Sequence, residues 1–558
     1  MAVVRLLQNE FAQVEEELGK VTEQDTQRVA RATLLYAQIA FARSILSLDT
    51  GDAEEALTRC WDADKQVNDM TSASGVFGSL LGMVGTDKGG VDHDEELNRI
   101  LIRADAHLMG AMMQLILGRY LRAGWNFRAG WNLYHKAAHG MESHPDQVSD
   151  AIKCIIDFGI GMFNLIVSML PSTLLTIAEL AGYDGNIDHA KLRLKRSYEM
   201  NQVVVEVSKV QADDNQDWSP FSCLLLLFYH TQLVPNIGLE VSQVFSGCAP
   251  RNRSADNVAM QLDDQNKSEV EEILGSEVAR KHEGSALFQW MRGTSEMLHQ
   301  RNPTEGISIL NKARGNAQEL PALQTYISYD IAWAHMEAFE WQSAAESLEA
   351  LIQANKDAQC WNSLYSYQAG LCLLLSSSEE KGKRMLEEVE KHLDNAAGKE
   401  KLQVWGPERY AHEMAGRLLK RATREEAAAA FLELLVVYDR MRCLSDTLLQ
   451  RALEMATAGQ KEGWERARSL STLSAIHLLS GRIDESKVAF DELVCMDDIS
   501  NEENISTGHY KAFALYLRAR HLKKEGKTSE SNELLRTAGT FSNAHMGQIL
   551  AFKIHAMW

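Results

Sequence analysis

Tyr329-Asp-Ile-Ala-Trp-Ala-His-Met-Glu-Ala-Phe-Glu-Trp-Gln-Ser-Ala344-Ala-Glu-Ser-Leu348-Glu-Ala-Leu351 reads as two amphipathic helices joined by a tight polar turn. A small residue, Ala344, stands in the first turns of the second helix. A large apolar residue, Leu348, follows four places on, and Leu351 three after that. This spacing puts all three on one helix face. The small side chain is needed where two helices cross closely, because a bulky one would push them apart.

The same cadence recurs six more times along the chain. Ala56 has Cys60 and Ala63 behind it, Ala123 has Phe127 and Gly130, and Gly306 has Leu310 and Ala313. Gly382 has Leu386 and Val389, Ser486 has Phe490 and Leu493, and Ser531 has Leu535 and Ala538. Gly51, Gly118, Gly481 and Gly526 precede four of these small residues, and a glycine there suits a left-handed residue ending the first helix. Gly306, Ala344 and Gly382 are spaced by 38 residues, slightly more than the 34 of an ideal tetratricopeptide repeat. The fold expected is therefore an all-α, tetratricopeptide-like helical-hairpin array, or α-solenoid. Such an array offers a binding surface more readily than a catalytic pocket. An ordinary helical bundle is the alternative, but a bundle has no reason to repeat its turn chemistry.

Composition agrees. Ala, Leu, Glu and Lys are abundant, prolines number 8 in 558 residues, and the formal net charge is −20. Strong helix formers dominate. The acidic balance argues against general nucleic-acid binding, which needs clustered cations. It also disfavours simple electrostatic adsorption to acidic lipid. The 8 cysteines are scattered, with no Cys-x-x-Cys pair, as expected for a reducing compartment. The first residues lack the long apolar core of a signal peptide. The sequons at Asn252, Asn266 and Asn504 read as chance matches.

Along the chain, helices are expected to about Asp69, then a Gly/Ser-rich loop over 71–91. That loop lacks the Gly-Lys-Ser/Thr of a phosphate loop. Residues 1–249 form an N-terminal region with divergent repeats, 250–269 a polar linker or excursion, and 270–558 the C-terminal repeats. Cys154 to Ala178 is apolar enough to suggest a membrane span, but Asp157 and Pro171 interrupt it. Only about 13 residues separate them, short of the roughly 20 a span needs. A buried apolar helix pair near 151–181, with Pro171 opening the second helix, is the expected arrangement.

Within that stretch Gly159-Ile-Gly161-Met-Phe163-Asn164-Leu165-Ile-Val-Ser168-Met-Leu170-Pro171, followed by Leu174 and Gly182-Tyr183-Asp184-Gly185, resembles the signature of the tetratricopeptide repeat protein 39 family. The family includes the fungal inclusion-body-clearance proteins. Pro220-Phe-Ser-Cys-Leu-Leu-Leu-Leu-Phe-Tyr-His sits where the family has an apolar helix leading into a polar excursion, and the resemblance covers nearly the whole chain. It implies a non-enzymatic helical-repeat adaptor for protein partners. It further implies a role in lipid-droplet-linked inclusion clearance or in lipid homeostasis through protein turnover. The expected location is cytoplasmic, nuclear, or peripheral to lipid droplets or the mitochondrial outer membrane. The rival is a lipid-binding or membrane-tethering protein using residues 154–180.

No catalytic set, cofactor fingerprint or paired-carboxylate site stands out. His135, His139 and His144 lie close together, but without a Glu after His135 or a nearby cysteine they read as solvated or capping residues. Asp484-Glu485 and Glu54-Glu55 suit the starts of second helices. In arrays of this kind the first helices line the concave face. That mapping gives a partner groove of Phe288, Met291, Tyr326, Tyr329, Trp333, Met336, Leu364 and Tyr367, apolar with phenolic hydroxyls and suited to peptide or helix capture. The same spacing equally describes a core that another part of the chain fills.

Overall fold

The computed structural model describes residues 13–14, 16, 26–47, 49–81, 93–168, 186–207, 218–233, 261–355, 361–395, 406–457, 462–497, 507–541, 546, 550–551 and 553–554. Among these the regular structure is helical throughout, with no strand. In order the helices are α1 (Thr26–Ser47), α2 (Thr50–Leu81), α3 (His93–Ile116), α4 (Tyr120–Ser143), α5 (Asp150–Ser168), α6 (Ile187–Val207) and α7 (Ser219–Phe228). Next come α8 (Gln261–Gly275), α9 (Glu277–Lys281), α10 (Ala286–Leu298), α11 (Pro303–Asn316), α12 (Pro321–Glu337), α13 (Trp341–Ala354), α14 (Asn362–Leu375) and α15 (Glu379–Asn395). The remainder are α16 (Gly406–Lys420), α17 (Arg424–Val437), α18 (Asp446–Thr457), α19 (Gly463–Leu479), α20 (Ile483–Cys495), α21 (Thr507–Lys524) and α22 (Thr528–Gly539).

Two compact units are distinguished. The first comprises Met1–Leu226, Ile273–Phe288 and Gly315–Gln324; the second comprises Leu227–Glu272, Gln289–Arg314 and Thr325–Trp558.

The hairpin cadence is realised at each expected place. Ala56, Ala123, Gly306, Ala344, Gly382, Ser486 and Ser531 all lie in second helices, and all are buried. The structure adds the other half of each crossing. Ser44, Ala111, Gly293, Ala332, Gly370, Ser474 and Ala519 stand 12 or 13 positions earlier, on the first helices, and all are small. A Cβ on Gly306 would lie 3.1 Å from the Gly293 carbonyl oxygen, and one on Gly382 would lie 3.1 Å from that of Gly370. The hydroxyls of Ser486 and Ser531 donate to the carbonyls of Ser474 (2.9 Å) and Ala519 (2.8 Å). Small residues on both sides let the backbones approach, and the serines satisfy their own polar group on the facing helix.

The turn also has a fixed geometry. A left-handed residue sits five places before the small one in six hairpins. Gly118, Gly481 and Gly526 take it with φ of 69°, 72° and 76°. Arg301, Phe339 and Ser377 take it without glycine, at φ of 52°, 60° and 68°. Packing holds them there against a preference of about 1–2 kcal/mol. Gly51 departs from the expectation. It lies inside α2, and its N–H donates to Asp49 Oδ1 at 2.7 Å, so an aspartate cap replaces the left-handed turn.

Two readings of segment type are corrected. The expected loop at 71–91 is helical as far as Leu81, and 82–92 lie outside the described residues. Val76, Phe77, Leu80 and Leu81 recur at helical spacing, which outweighs the Gly/Ser composition. The polar stretch at 250–269 is helical from Gln261, and 250–260 lie outside the described residues. There Asn266, Val270 and Ile273 share a buried face. Asn266 meets the His230 ring at 3.2 Å, and Glu269 meets it at 2.9 Å.

In the first unit α5 is apolar and long enough to cross a membrane, yet most of it is buried inside the protein. It packs on α6, where Arg193 holds the buried Asp157 carboxylate at 2.6 Å. The second half of the expected helix pair, 171–181, lies outside the described residues.

Candidate partner-binding site

The aromatic groove read from the first helices is core in the structure. Phe288 is buried against the His282 ring (6.0 Å between centroids), and Met291 lies under the Thr231 hydroxyl. Trp333, Met336, Leu364 and Tyr367 are buried. Tyr329 is half-buried, accepts a hydrogen bond from Gln368 at 3.1 Å, and packs edge-on to Trp333. Of the eight, Tyr326 alone is exposed, at 37%, and it stacks on Trp290.

The chain itself fills the space in front of Trp333. Tyr438 tilts against its ring at 5.3 Å, and the Arg440 guanidinium covers it at 5.1 Å. These residues follow α17 directly, and Asp439 between them adopts φ 57°. Arg440 reaches Glu337 at 3.2 Å and Asp330 at 3.9 Å. Asp330 also accepts from the Trp290 indole at 2.6 Å and from Thr294 at 3.4 Å. Burial raises the Glu337 carboxyl to about 7, although Arg440 pulls it the other way. Sequence reasoning missed this network. Its one signal was two acids, Asp330 and Glu337, two turns apart on the apolar face of α12.

The described resemblance residues pack within the first unit. A Cβ on Gly159 would fall 2.0 Å from the buried Tyr134 ring, whose hydroxyl donates to the buried Asp105. Burial raises that Asp105 carboxyl to about 6. A Cβ on Gly161 would meet Leu194 of α6 at 2.7 Å. Phe163 stacks on Trp131 at 4.3 Å. Asn164 donates to the Ile160 carbonyl, and Ser168 to that of Leu165, which is itself buried. Leu170 and Pro171 lie outside the described residues. The three histidines do not converge. His135 packs on Trp131, His139 approaches Ser143, and His144 stacks on His93. Among the described residues no group of three or more His, Cys, Asp or Glu could hold a metal ion.

What the structure assembles instead is a cationic cavity of about 310 Å³ in the second unit. Here the hairpin register is interrupted, since α14 packs on both α16 and α17. The end of α16 contributes Met414, Arg417, Leu418 and Lys420, followed by Arg421. The starts of α17 and α19 contribute Glu426 and Trp464 with Glu465, and Arg468 lies one turn further on. Thr423 caps α17 by accepting from the Glu426 N–H at 3.2 Å. Arg417 and Arg468 lie over the Trp464 ring, at 5.2 and 5.1 Å. Arg468 is buried and anchored on Glu426 at 2.7 Å; Arg421 leans out, held by Glu465 at 2.7 Å. Stacking on an indole and a carboxylate anchor together fix guanidinium orientation before any ligand arrives. The legible signal was the capping box Thr423-x-x-Glu426 followed by Trp464 and Arg468, residues no motif search combines.

The fold is thus that of a helical-repeat protein, of the kind that serves as a protein-interaction scaffold. The family model described as Iml2/Tetratricopeptide repeat protein 39 matches residues 1–485, and the chain belongs to that family. Among solved structures the chain is similar to the one titled "Crystal structure of APC/C hetero-tetramer Cut9-Hcn1", at a TM-score of 0.24 and 11% identity, over 96% of this chain and 94% of that one.

Proposed function

We propose that this protein is a non-enzymatic adaptor that holds protein partners in protein turnover, inclusion clearance or lipid-droplet-linked lipid homeostasis, working in the cytoplasm. One observation carries the adaptor reading. Within each unit, hairpins are locked through paired small residues, which holds surface side chains in a fixed pattern. Proximity labelling with the full chain in cells, followed by mass spectrometry, tests it. Components of turnover or lipid-droplet machinery should be enriched over a tag-only control. A labelled set indistinguishable from that control overturns the reading.

A second reading, contact with a lipid surface, draws support from α4. At the start of α4 Tyr120, Leu121 and Trp125 are 63%, 85% and 75% exposed. Arg122, Arg128 and Lys136 lie exposed along the same helix and make no ion pair among the described residues. Exposed Trp and Leu beside cations suit the boundary between headgroups and acyl chains, even on a chain of acidic overall charge. The full chain should therefore cosediment with vesicles of phosphatidylcholine and phosphatidylserine, and Leu121→Glu/Trp125→Glu should abolish this. Equal sedimentation of the variant removes α4 from that role.

A further inference from the structure

The cavity between α16, α17 and α19 has a charge balance opposite to that of the protein. Four cations, Arg417, Lys420, Arg421 and Arg468, line it against two carboxylates, Glu426 and Glu465. Both carboxylates are already engaged with arginines. The buried Glu433 also acts on Arg417 and Arg468, so the cations outnumber the carboxylates by one, in a chain of net charge −20. The floor is not purely polar, for Met414, Leu418, Ala430 and the Trp464 ring supply apolar area beside the guanidinium groups.

We infer that this cavity receives an acidic peptide segment of a partner protein, with a glutamate or aspartate carboxylate on the arginines and an adjoining apolar side chain on the apolar part of the lining. This rests on the adaptor reading and supplies the chemistry of the partner. Carboxylates match the planar guanidinium fork, and charge-assisted hydrogen bonds of that kind are the strong ones. A free inorganic anion would satisfy the cations and leave the apolar floor uncovered. A segment alternating acidic and apolar residues satisfies both. Arg468 and Arg417 are the positioning elements, since the indole and Glu426 hold them. Lys420 and Arg421, at the mouth, meet the segment first and set its rate of capture.

The test uses the full chain and a fluorescein-labelled hexapeptide of alternating leucine and glutamate, followed by fluorescence anisotropy. A matched leucine–glutamine peptide is the control. The glutamate peptide should bind at least about tenfold more tightly than the control, as expected for charge-assisted contacts. Its affinity should fall with added salt. Lys420→Glu/Arg421→Glu reverses two exposed charges and should weaken binding by a further factor of about ten without changing the thermal melt. If that variant unfolds, the peptide comparison on the unmodified chain still decides. Equal affinity for the two peptides overturns the proposal. So does equal affinity of the folded charge-reversal variant. Displacement by inorganic tripolyphosphate at the same concentration as unlabelled glutamate peptide also overturns it, because the site would then be a general anion site. Proximity labelling with the charge-reversal variant separates the two ideas. An unchanged partner set leaves the adaptor standing and removes the cavity, whereas no partner set for the unmodified chain removes the adaptor itself.

Discussion

Trp333→Ala is expected to destabilise the second unit by about 3–5 kcal/mol, the usual loss for truncating a buried tryptophan. Trp333 is 1% exposed, lies edge-on to Tyr329, and is covered by Tyr438 and Arg440. Removing the indole leaves a void between α12 and the segment 438–440 that follows α17. It also removes the ring over which Arg440 is stacked. Thermal unfolding followed by circular dichroism should show the transition at markedly lower temperature. This separates core from groove. A partner-binding aromatic would lose partner recovery with the melt nearly intact. A melt within error of the unmodified protein would return Trp333, Tyr329 and Tyr326 to the role of a docking surface.

Arg440→Met is the second large effect, again about 3–5 kcal/mol, because it strands buried acids without their counter-charge. Glu337 loses its ion-pair partner at 3.2 Å, and Asp330 keeps the neutral donors Trp290, Thr294 and Gln232. The double replacement Arg440→Met/Glu337→Met should recover much of the loss, since removing a buried pair together also removes its desolvation. A double variant as unstable as the single one would show that the arginine acts by packing alone. The pH dependence has a definite sign. Glu337 titrates near 7 in the fold, above its ordinary value of 4.5. The folded form therefore favours the protonated acid. That contribution is full below about pH 4.5 and is lost as the pH rises through 7. Glu337→Gln should flatten that portion of the stability profile, and an unchanged slope would assign the titration elsewhere.

Much of the fold was readable before any coordinates. A close helix crossing demands a small residue, and that demand is local, so Ala56, Ala123, Gly306, Ala344, Gly382, Ser486 and Ser531 could be found by spacing alone. Their partners, from Ser44 to Ala519, obey the same demand. They escaped notice because a small residue in mid-helix carries no turn signal beside it. Gly51 shows the limit of turn chemistry, for Asp49 supplies a cap that makes the left-handed residue unnecessary. Composition misled at 71–81 and 261–269, where Gly, Ser, Asn and Asp hid an amphipathic spacing.

The site was far less legible. Periodicity says that Tyr329, Trp333 and Tyr367 face inward, but not what they face. A solvent-filled groove and a filled core have the same helical spacing. Tyr438 and Arg440 decide between them, and they arrive from about a hundred residues away along the chain. The cationic cavity likewise draws on the end of one helix and the starts of two others, with no shared local pattern. By itself, then, the sequence determined the helices, their pairing and the family, because these depend on spacings within a few turns. Only the tertiary structure decided which faces are filled, which acids find an arginine, and where positive charge collects, because burial and charge pairing depend on segments that meet only in space.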